Sequence, residues 1–283
     1  MITDAHLHLF RHGFGPSRDA PLLRGMSEVD AYERLMARYG IEAGLVVCYE
    51  ADGIDPDNNA YVRELATTRP WIASVAFLQP DPVPSFGAIE AQIAAGHCGI
   101  AVYLPDVRAA EVLLAWPRAV WERLERNRCI ISLNARPEAI AALQPLIEQF
   151  HRCEFLFSHL GLPGRCERIP APAEARRRLD PLLRLAHLPN VGVKISGLYA
   201  VDPVPPHRFA EPFVDLLLET FGPQNLHWGS DFSPALEFVG FEDTLLESKL
   251  RALPPHEHEL IMGAGLVRKF ERAKAASTSD ADL

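Results

Sequence analysis

His6 and His8 lie one residue apart in the run Ile2-Thr3-Asp4-Ala5-His6-Leu7-His8-Leu9-Phe10. In an extended strand, residues i and i+2 share a face, so the two imidazoles project side by side. That spacing suits a pair of metal ligands, or two polarising groups aimed at one substrate oxygen. His-x-His is a weak motif alone. Its weight depends on which other polar side chains the chain brings to the same place. His159 follows the apolar run Phe155-Leu156-Phe157, and Asp231 follows Trp228-Gly229-Ser230. Each has a bland alternative: a core histidine bonded to backbone, or an aspartate capping a turn. Lys194, between Val193 and Ile195, faces opposite to both, and a structural ion pair accounts for it as well as a functional role does.

The elements that must position these residues alternate. Strands are expected near 2–8, 42–48, 71–78, 98–104, 129–134, 154–159, 191–197 and 226–231. They are almost continuously apolar, as in Gly99-Ile100-Ala101-Val102-Tyr103-Leu104, which marks strands covered on both faces of a parallel sheet. Helix signals lie between them. Ser27 is a candidate N-cap and Gly40 a stop; Pro56 and Pro137 open two further helices, and Phe209, Phe213, Leu216, Leu217 and Phe221 form an apolar stripe. A last helix is expected from about 257 to 276, with long loops over 10–26 and 163–173 and Arg176–Arg178 on a solvated face. Eight strands, each followed by a helix, predict a single-domain (β/α)8 barrel over residues 1–276, with 277–283 as a flexible polar tail.

In such a barrel the active site lies at the C-terminal ends of the strands. Those ends carry His6 and His8, Tyr49 and Glu50, Gln79, Tyr103, Asn134, His159, Lys194 with Ser196, and Asp231. Strand ends are usually polar; three histidines and an aspartate able to meet at one mouth are the discriminating feature. The other histidines, His12, His97, His151, His187, His207, His227, His256 and His258, read as surface or loop residues.

The chain has 283 residues, 48 % of them hydrophobic, enough to bury a substantial core. A net charge of -9 argues against a nucleic-acid partner, which would need a basic face. Five cysteines without a Cys-x-x-Cys read as buried free thiols in a reducing compartment. No basic segment leading into an apolar stretch follows Met1 and no run approaches membrane-spanning length, so a cytoplasmic location is expected.

Asp-x-His-x-His on the first strand, Phe-Ser-His159-Leu-Gly-Leu-Pro on the sixth, Val-Lys194-Ile-Ser-Gly on the seventh and Gly-Ser-Asp231-Phe on the eighth together resemble the amidohydrolase superfamily. More narrowly, they are similar to its amidohydrolase-related branch, which includes sugar-acid lactonases and 2-pyrone-4,6-dicarboxylate lactonase. The resemblance spans nearly the whole chain. One departure matters. Many amidohydrolases place a histidine or modified lysine at the end of strand five, and here that strand ends in Asn134. The resemblance therefore implies one divalent ion, zinc or manganese, held by His6, His8, His159 and Asp231, or none.

The expected reaction is opening of a small carboxylated or sugar-acid lactone. Asp231 would be the general base, with His6, His8 and His159 polarising the carbonyl directly or through one metal. Tyr49, Tyr103, Asn134, Lys194 and Tyr199 are candidates for orienting the substrate. Lys194, Arg11 and Arg165 near the expected mouth favour an anionic one. The alternatives are a decarboxylase or amide hydrolase of the same superfamily, a lactone isomerase, and a binding protein without turnover. Substrate identity and oligomeric state have no code in the sequence.

Overall fold

The computed structural model describes residues 1–245 and 248–279. Eight parallel strands form one sheet in sequential order: β1 (Ile2–Leu7), β2 (Ile41–Val47), β3 (Ile72–Phe77), β4 (Gly99–Leu104), β5 (Ile130–Ala135), β6 (Glu154–Phe157), β7 (Val191–Ile195) and β8 (Leu226–Trp228). The sheet curls until its two edges meet. Leu7 bridges Phe232, Asp231 N donates to His6 O at 2.7 Å, and His8 N donates to Phe232 O. The architecture is the expected single-domain (β/α)8 barrel.

The helices form where sequence chemistry places them. In α1 (Glu28–Tyr39), Ser27 Oγ accepts from Asp30 N at 3.2 Å, and Gly40 ends the helix at φ 69°, a conformation that favours glycine. α2 spans Asn58–Ala66, α3 Phe86–Ala94, α4 Val107–Leu114, α5 Arg118–Arg126, α6 Pro137–Gln149, α7 Pro172–Leu183 and α8 Glu211–Phe221. Their apolar faces cover the outside of the barrel in one large buried cluster.

Three features differ from the sequence expectation. The last helix is not continuous. A short helix at Pro255–Glu259 runs into a π turn at Leu260–Ala264, and a separate helix follows over Gly265–Ser279. A Cβ at Gly263 would lie 2.8 Å from Met1 O, so the break lets this segment pass against the start of β1. Helix extends through Ser279 into the expected tail, whose residues 280–283 lie outside those described. Secondly, His97, His207 and His227 are buried rather than superficial. Thirdly, Arg178 is half-buried and ties the 163–173 loop down, donating to Arg165 O at 3.1 Å and pairing with Glu174 at 2.7 Å.

The barrel interior is filled by small and branched side chains, among them Ala5, Leu45, Val75, Ala101, Ile130 and Leu156. Leu266 and Phe270 of the C-terminal helix join this cluster. The same helix buries Lys269 against Glu154, the first residue of β6, at 2.6 Å, while the half-exposed Arg272 approaches the other carboxylate oxygen at 2.9 Å. Removing one partner of a buried pair strands the other charge. Lys269→Met keeps the aliphatic stem and leaves only Arg272 facing Glu154. It should cost about 3 kcal/mol, read as a lower urea midpoint at unchanged slope; an unchanged midpoint would mean Arg272 suffices.

Candidate active site

The end of β1, the turn after β6 and the segment after β8 converge above the barrel. Asp4, fully buried, accepts hydrogen bonds from His6 N at 2.9 Å, Ser230 N at 3.0 Å, Tyr32 Oη at 2.7 Å and Ser230 Oγ. Burial outweighs these four donors and pushes its carboxyl up to about 6. Asp4 thereby holds the strand that carries His6 and His8 against the segment that carries Asp231. Gly229 permits the close approach, since a Cβ there would lie 2.7 Å from His6 Cβ. A second buried carboxylate, Glu28, accepts from Phe10 N at 2.7 Å, Phe14 N at 3.2 Å and Ser233 Oγ at 2.6 Å, joining the loops after β1 and β8.

His159 and Asp231 lie beyond their strands, which end at Phe157 and Trp228. Both adopt left-handed backbone, at φ 52° and 57°, and Leu160, Gly161 and Leu162 continue that conformation. Left-handed backbone is disfavoured for non-glycine residues and is found where surrounding structure enforces it, often at functional sites. Here it turns both side chains inward. Gly197 makes room for His159: a Cβ there would lie 2.5 Å from its Nδ1.

The result is a triangle of ligand-type atoms. His6 Nε2 and His8 Nε2 are 3.2 Å apart, and Asp231 Oδ1 lies 3.5 Å and 3.6 Å from them. Two imidazole lone pairs cannot face each other at that distance unless a proton or a cation lies between them. Tetrahedral ligands at about 2.0–2.1 Å from zinc are about 3.3–3.4 Å apart, so these three residues fit a single divalent ion. His159 stands beside the triangle. Its ring lies 4.6 Å from that of His6, and its Nδ1 is 3.0 Å from Ser196 Oγ and 3.9 Å from Asp231 Oδ2. Among the described residues, His6, His8 and Asp231 form the one cluster with metal-binding geometry.

The charges are set by the surroundings. Burial favours a neutral Asp231, but the His159 charge, a His8 contact and the Tyr199 hydroxyl, which donates to Oδ2 at 2.6 Å, outweigh it and hold the carboxyl below its usual value. Burial, reinforced by Lys194 and the neighbouring imidazoles, holds His6 well below the ordinary histidine value. His159 is also lowered by burial, against the pull of Asp231. Burial thus disfavours the charged ring at both His6 and His159, beside a carboxyl held below its usual value.

Tyr49, Tyr103 and Tyr199 line the mouth above Asp231, with Phe10 and Phe14, around a cavity of about 250 Å³. Asn134 lines an adjoining cavity. Lys194 does not reach the mouth. It is fully buried beneath His6, donating to Ser132 Oγ at 2.7 Å with Nζ 3.2 Å from His6 Nδ1, and burial lowers its pKa to about 7. It positions His6 rather than a substrate. Arg11 is engaged elsewhere, 3.6 Å from Glu64 and over the Tyr61 ring, and Arg165 is exposed on its loop. Sequence reasoning missed the clamps Asp4 and Glu28 and the basic residue Arg136, which follows Asn134 by two positions and lines the adjoining cavity. The Asp-x-His-x-His spacing signalled Asp4, and the i, i+2 rule applied past Asn134 would have found Arg136.

Comparison with known proteins bears on the fold and the family. No curated protein matches the chain at a significant level. An amidohydrolase from Burkholderia multivorans with bound zinc superposes with a TM-score of 0.73 at 20% identity, covering 96% of this chain and 99% of that one. A probable 2-pyrone-4,6-dicarboxylic acid hydrolase from Acinetobacter baumannii with citric acid bound gives 0.70 at 18%, covering 95% and 99%. The 5-carboxyvanillate decarboxylase from Sphingomonas paucimobilis gives 0.56 at 15%, covering 95% and 98%. At these identities the likeness is one of fold. The amidohydrolase family model matches residues 3–264, from β1 with its two histidines to beyond Asp231, and the chain belongs to the amidohydrolase family.

Proposed function

We propose that this chain is a lactonase that opens a carboxylated cyclic ester by attack of water. The observation that carries the reading is the single carboxylate, Asp231, kept ionised while its Oδ1 faces two imidazole Nε2 atoms at 3.5 and 3.6 Å. An ionised carboxylate next to neutral donors at an aromatic-lined mouth suits water activation beside a polarised carbonyl. Asn134 at the end of β5 supports a mononuclear centre at most. The similarity to a probable pyrone-dicarboxylate hydrolase supports the cyclic-ester class.

Asp231 takes a proton from water as the water oxygen bonds to the lactone carbonyl carbon. His159, beside the triangle, orients the carbonyl and offers a donor to the developing oxyanion. When the ring C–O bond breaks, Asp231 returns its proton to the leaving alkoxide, and the product is a hydroxy acid. Tyr199 holds Oδ2, leaving Oδ1 directed at the two Nε2 atoms. His6, His8 and Asp231 would hold one zinc or manganese ion, which when bound supplies Lewis-acid polarisation and a more acidic water. Five free thiols fit a reducing cytoplasm, and among the described residues no helix is long and apolar enough to cross a membrane.

Assay against a panel of aldonolactones and pyrone carboxylates should show acid release without carbon dioxide; carbon dioxide as the product would replace hydrolysis with decarboxylation. Asp231→Asn should lower kcat by about 10³-fold with an unchanged melting profile, and near-normal turnover would remove it as the base. Dialysis against a chelator should abolish activity, one equivalent of zinc or manganese restoring it. A chelated protein at full rate would leave the histidines acting as direct donors. Tyr199→Phe tests the charge balance. Tyr199 donates to the ionised carboxyl, so its loss raises the Asp231 pKa, and the acid limb of kcat/KM should move upward by about one pH unit. An unmoved limb would detach that ionisation from Asp231.

A further inference from the structure

A second cavity opens from the catalytic mouth, and the two share Tyr103 and His159. It is larger, about 590 Å³ against about 250 Å³, within the usual range for small-molecule sites. Much of its wall is apolar, with Leu104, Pro105, Leu162, Pro163 and Val201 among the lining residues. Against this surface stands one cation. Arg136 is the only guanidinium or ammonium group lining the cavity among the described residues.

Arg136 is exposed, and unlike three other arginines of the chain it is not engaged by a carboxylate among the described residues. Arg123 is paired with Glu90 at 2.7 Å, Arg178 with Glu174 at 2.7 Å, and Arg168 with Glu174 at 3.1 Å. The guanidinium of Arg136 has neither an ion-pair nor a side-chain hydrogen-bond partner among the described residues, although its backbone N is satisfied by Leu104 O at 3.2 Å. Arg136 lies just past the end of β5, at the N-cap of α6 in extended backbone, and lines the same cavity as Asn134. Asn134 is the register partner of Tyr103, which lines both cavities. A path therefore runs from the Asp231 triangle past Tyr103 and Asn134, along apolar walls, to an unpaired guanidinium.

We infer that the substrate carries, beside its scissile ring, an apolar arm ending in a carboxylate that Arg136 receives. The guanidinium fork matches a carboxylate in a bidentate fashion. Leucine, proline and valine walls suit hydrocarbon. A polyhydroxylated sugar arm would set several hydroxyls against the leucine, proline and valine faces, which offer no side-chain partner, so the inference narrows the substrate away from sugar acids. It rests on the lactonase reading for the reacting group only; the arm and its anion are read from the cavity alone.

The probes are two γ-lactones with the same straight alkyl arm, one ending in carboxylate and the other in the isosteric carboxamide. Wild-type protein should prefer the acid by about tenfold in kcat/KM, expressed in KM, a difference of about 1.4 kcal/mol. In Arg136→Gln the acid-to-amide ratio should fall to about one. Arg136→Lys, which keeps charge without the fork, should lie between and controls for misfolding. An acid-to-amide ratio equal in wild type and Arg136→Gln overturns the inference while leaving the lactonase reading intact. If neither lactone is opened, the lactonase reading fails, and calorimetric binding of the same two compounds decides the arm site. Tighter binding of the acid that depends on Arg136 supports it; equal affinities, or no binding of either, overturn it.

Discussion

Where β8 returns to β1 the two strands share little ladder, because β8 is three residues long. Backbone contact there consists of the Leu7–Phe232 bridge and two N–H···O bonds, Asp231 to His6 and His8 to Phe232. Asp4 supplies what the ladder lacks. Its carboxylate gathers the backbone N–H groups of His6 and Ser230 and the hydroxyls of Tyr32 and Ser230, joining β1, α1 and the segment after β8 through one buried group. The strand that carries Asp4 also carries His6 and His8, and the segment that supplies Ser230 supplies Asp231. The edges of 3.2, 3.5 and 3.6 Å in the catalytic triangle are therefore consequences of barrel closure, not of a mobile loop. Sites built on rigid elements hold such distances more tightly than sites on loops.

That rigidity allows an arrangement of charge that would otherwise be costly. An isolated buried ion costs several kcal/mol, yet Asp231 stays ionised and Lys194 lies fully buried below it. The two charges sit on opposite sides of His6, and Asp231 and Asp4 both pull the Lys194 pKa upward against burial. His6 between them is held well below its ordinary value, by burial first and then by Lys194 and the neighbouring rings. A neutral ring can give its lone pair to a metal or its N–H to an oxyanion; an imidazolium could not ligate. The buried lysine thus favours the form of His6 that the chemistry requires.

The barrel was legible in the sequence because parallel strands covered on both faces are nearly continuous in apolar residues, a rule most of the eight follow while β1, with Thr3, Asp4 and His6, departs from it. The histidine pair was legible because a period of two needs only a strand. His159 and Asp231 were found as polar residues after apolar runs, but their geometry was not: each lies past its strand in left-handed backbone, enforced by Ser196 and Gly197 on one side and by the β1 contact on the other. Lys194 shows the limit of reading strand ends. Its alternation with Val193 and Ile195 correctly turns it to the inner face, but an inner-face residue can lie in the mouth or under it. That depends on strand length, which tertiary closure decides. The broken C-terminal helix has a similar origin. Its apolar spacing is helical throughout, and only the approach of Met1 and Thr3 to Gly263 interrupts it.

Chemistry and selectivity are separated in depth. The groups proposed to react belong to strand ends and their first turns, where barrel closure sets their positions. The groups proposed to choose a substrate line the adjoining cavity, on walls contributed by Leu104, Pro105, Leu162, Pro163 and Val201, with the exposed Arg136. Those walls come from the segments after β4, β6 and β7, three loops whose spacing along the chain carries no periodicity. A change at these wall residues alters what fits while Asp4 keeps its bonds to His6, Ser230 and Tyr32, although Tyr199, two residues before Val201, also holds Asp231. The same separation explains why the fold can be read across structures only about 20% identical, while the substrate has to be read from the cavity of each chain.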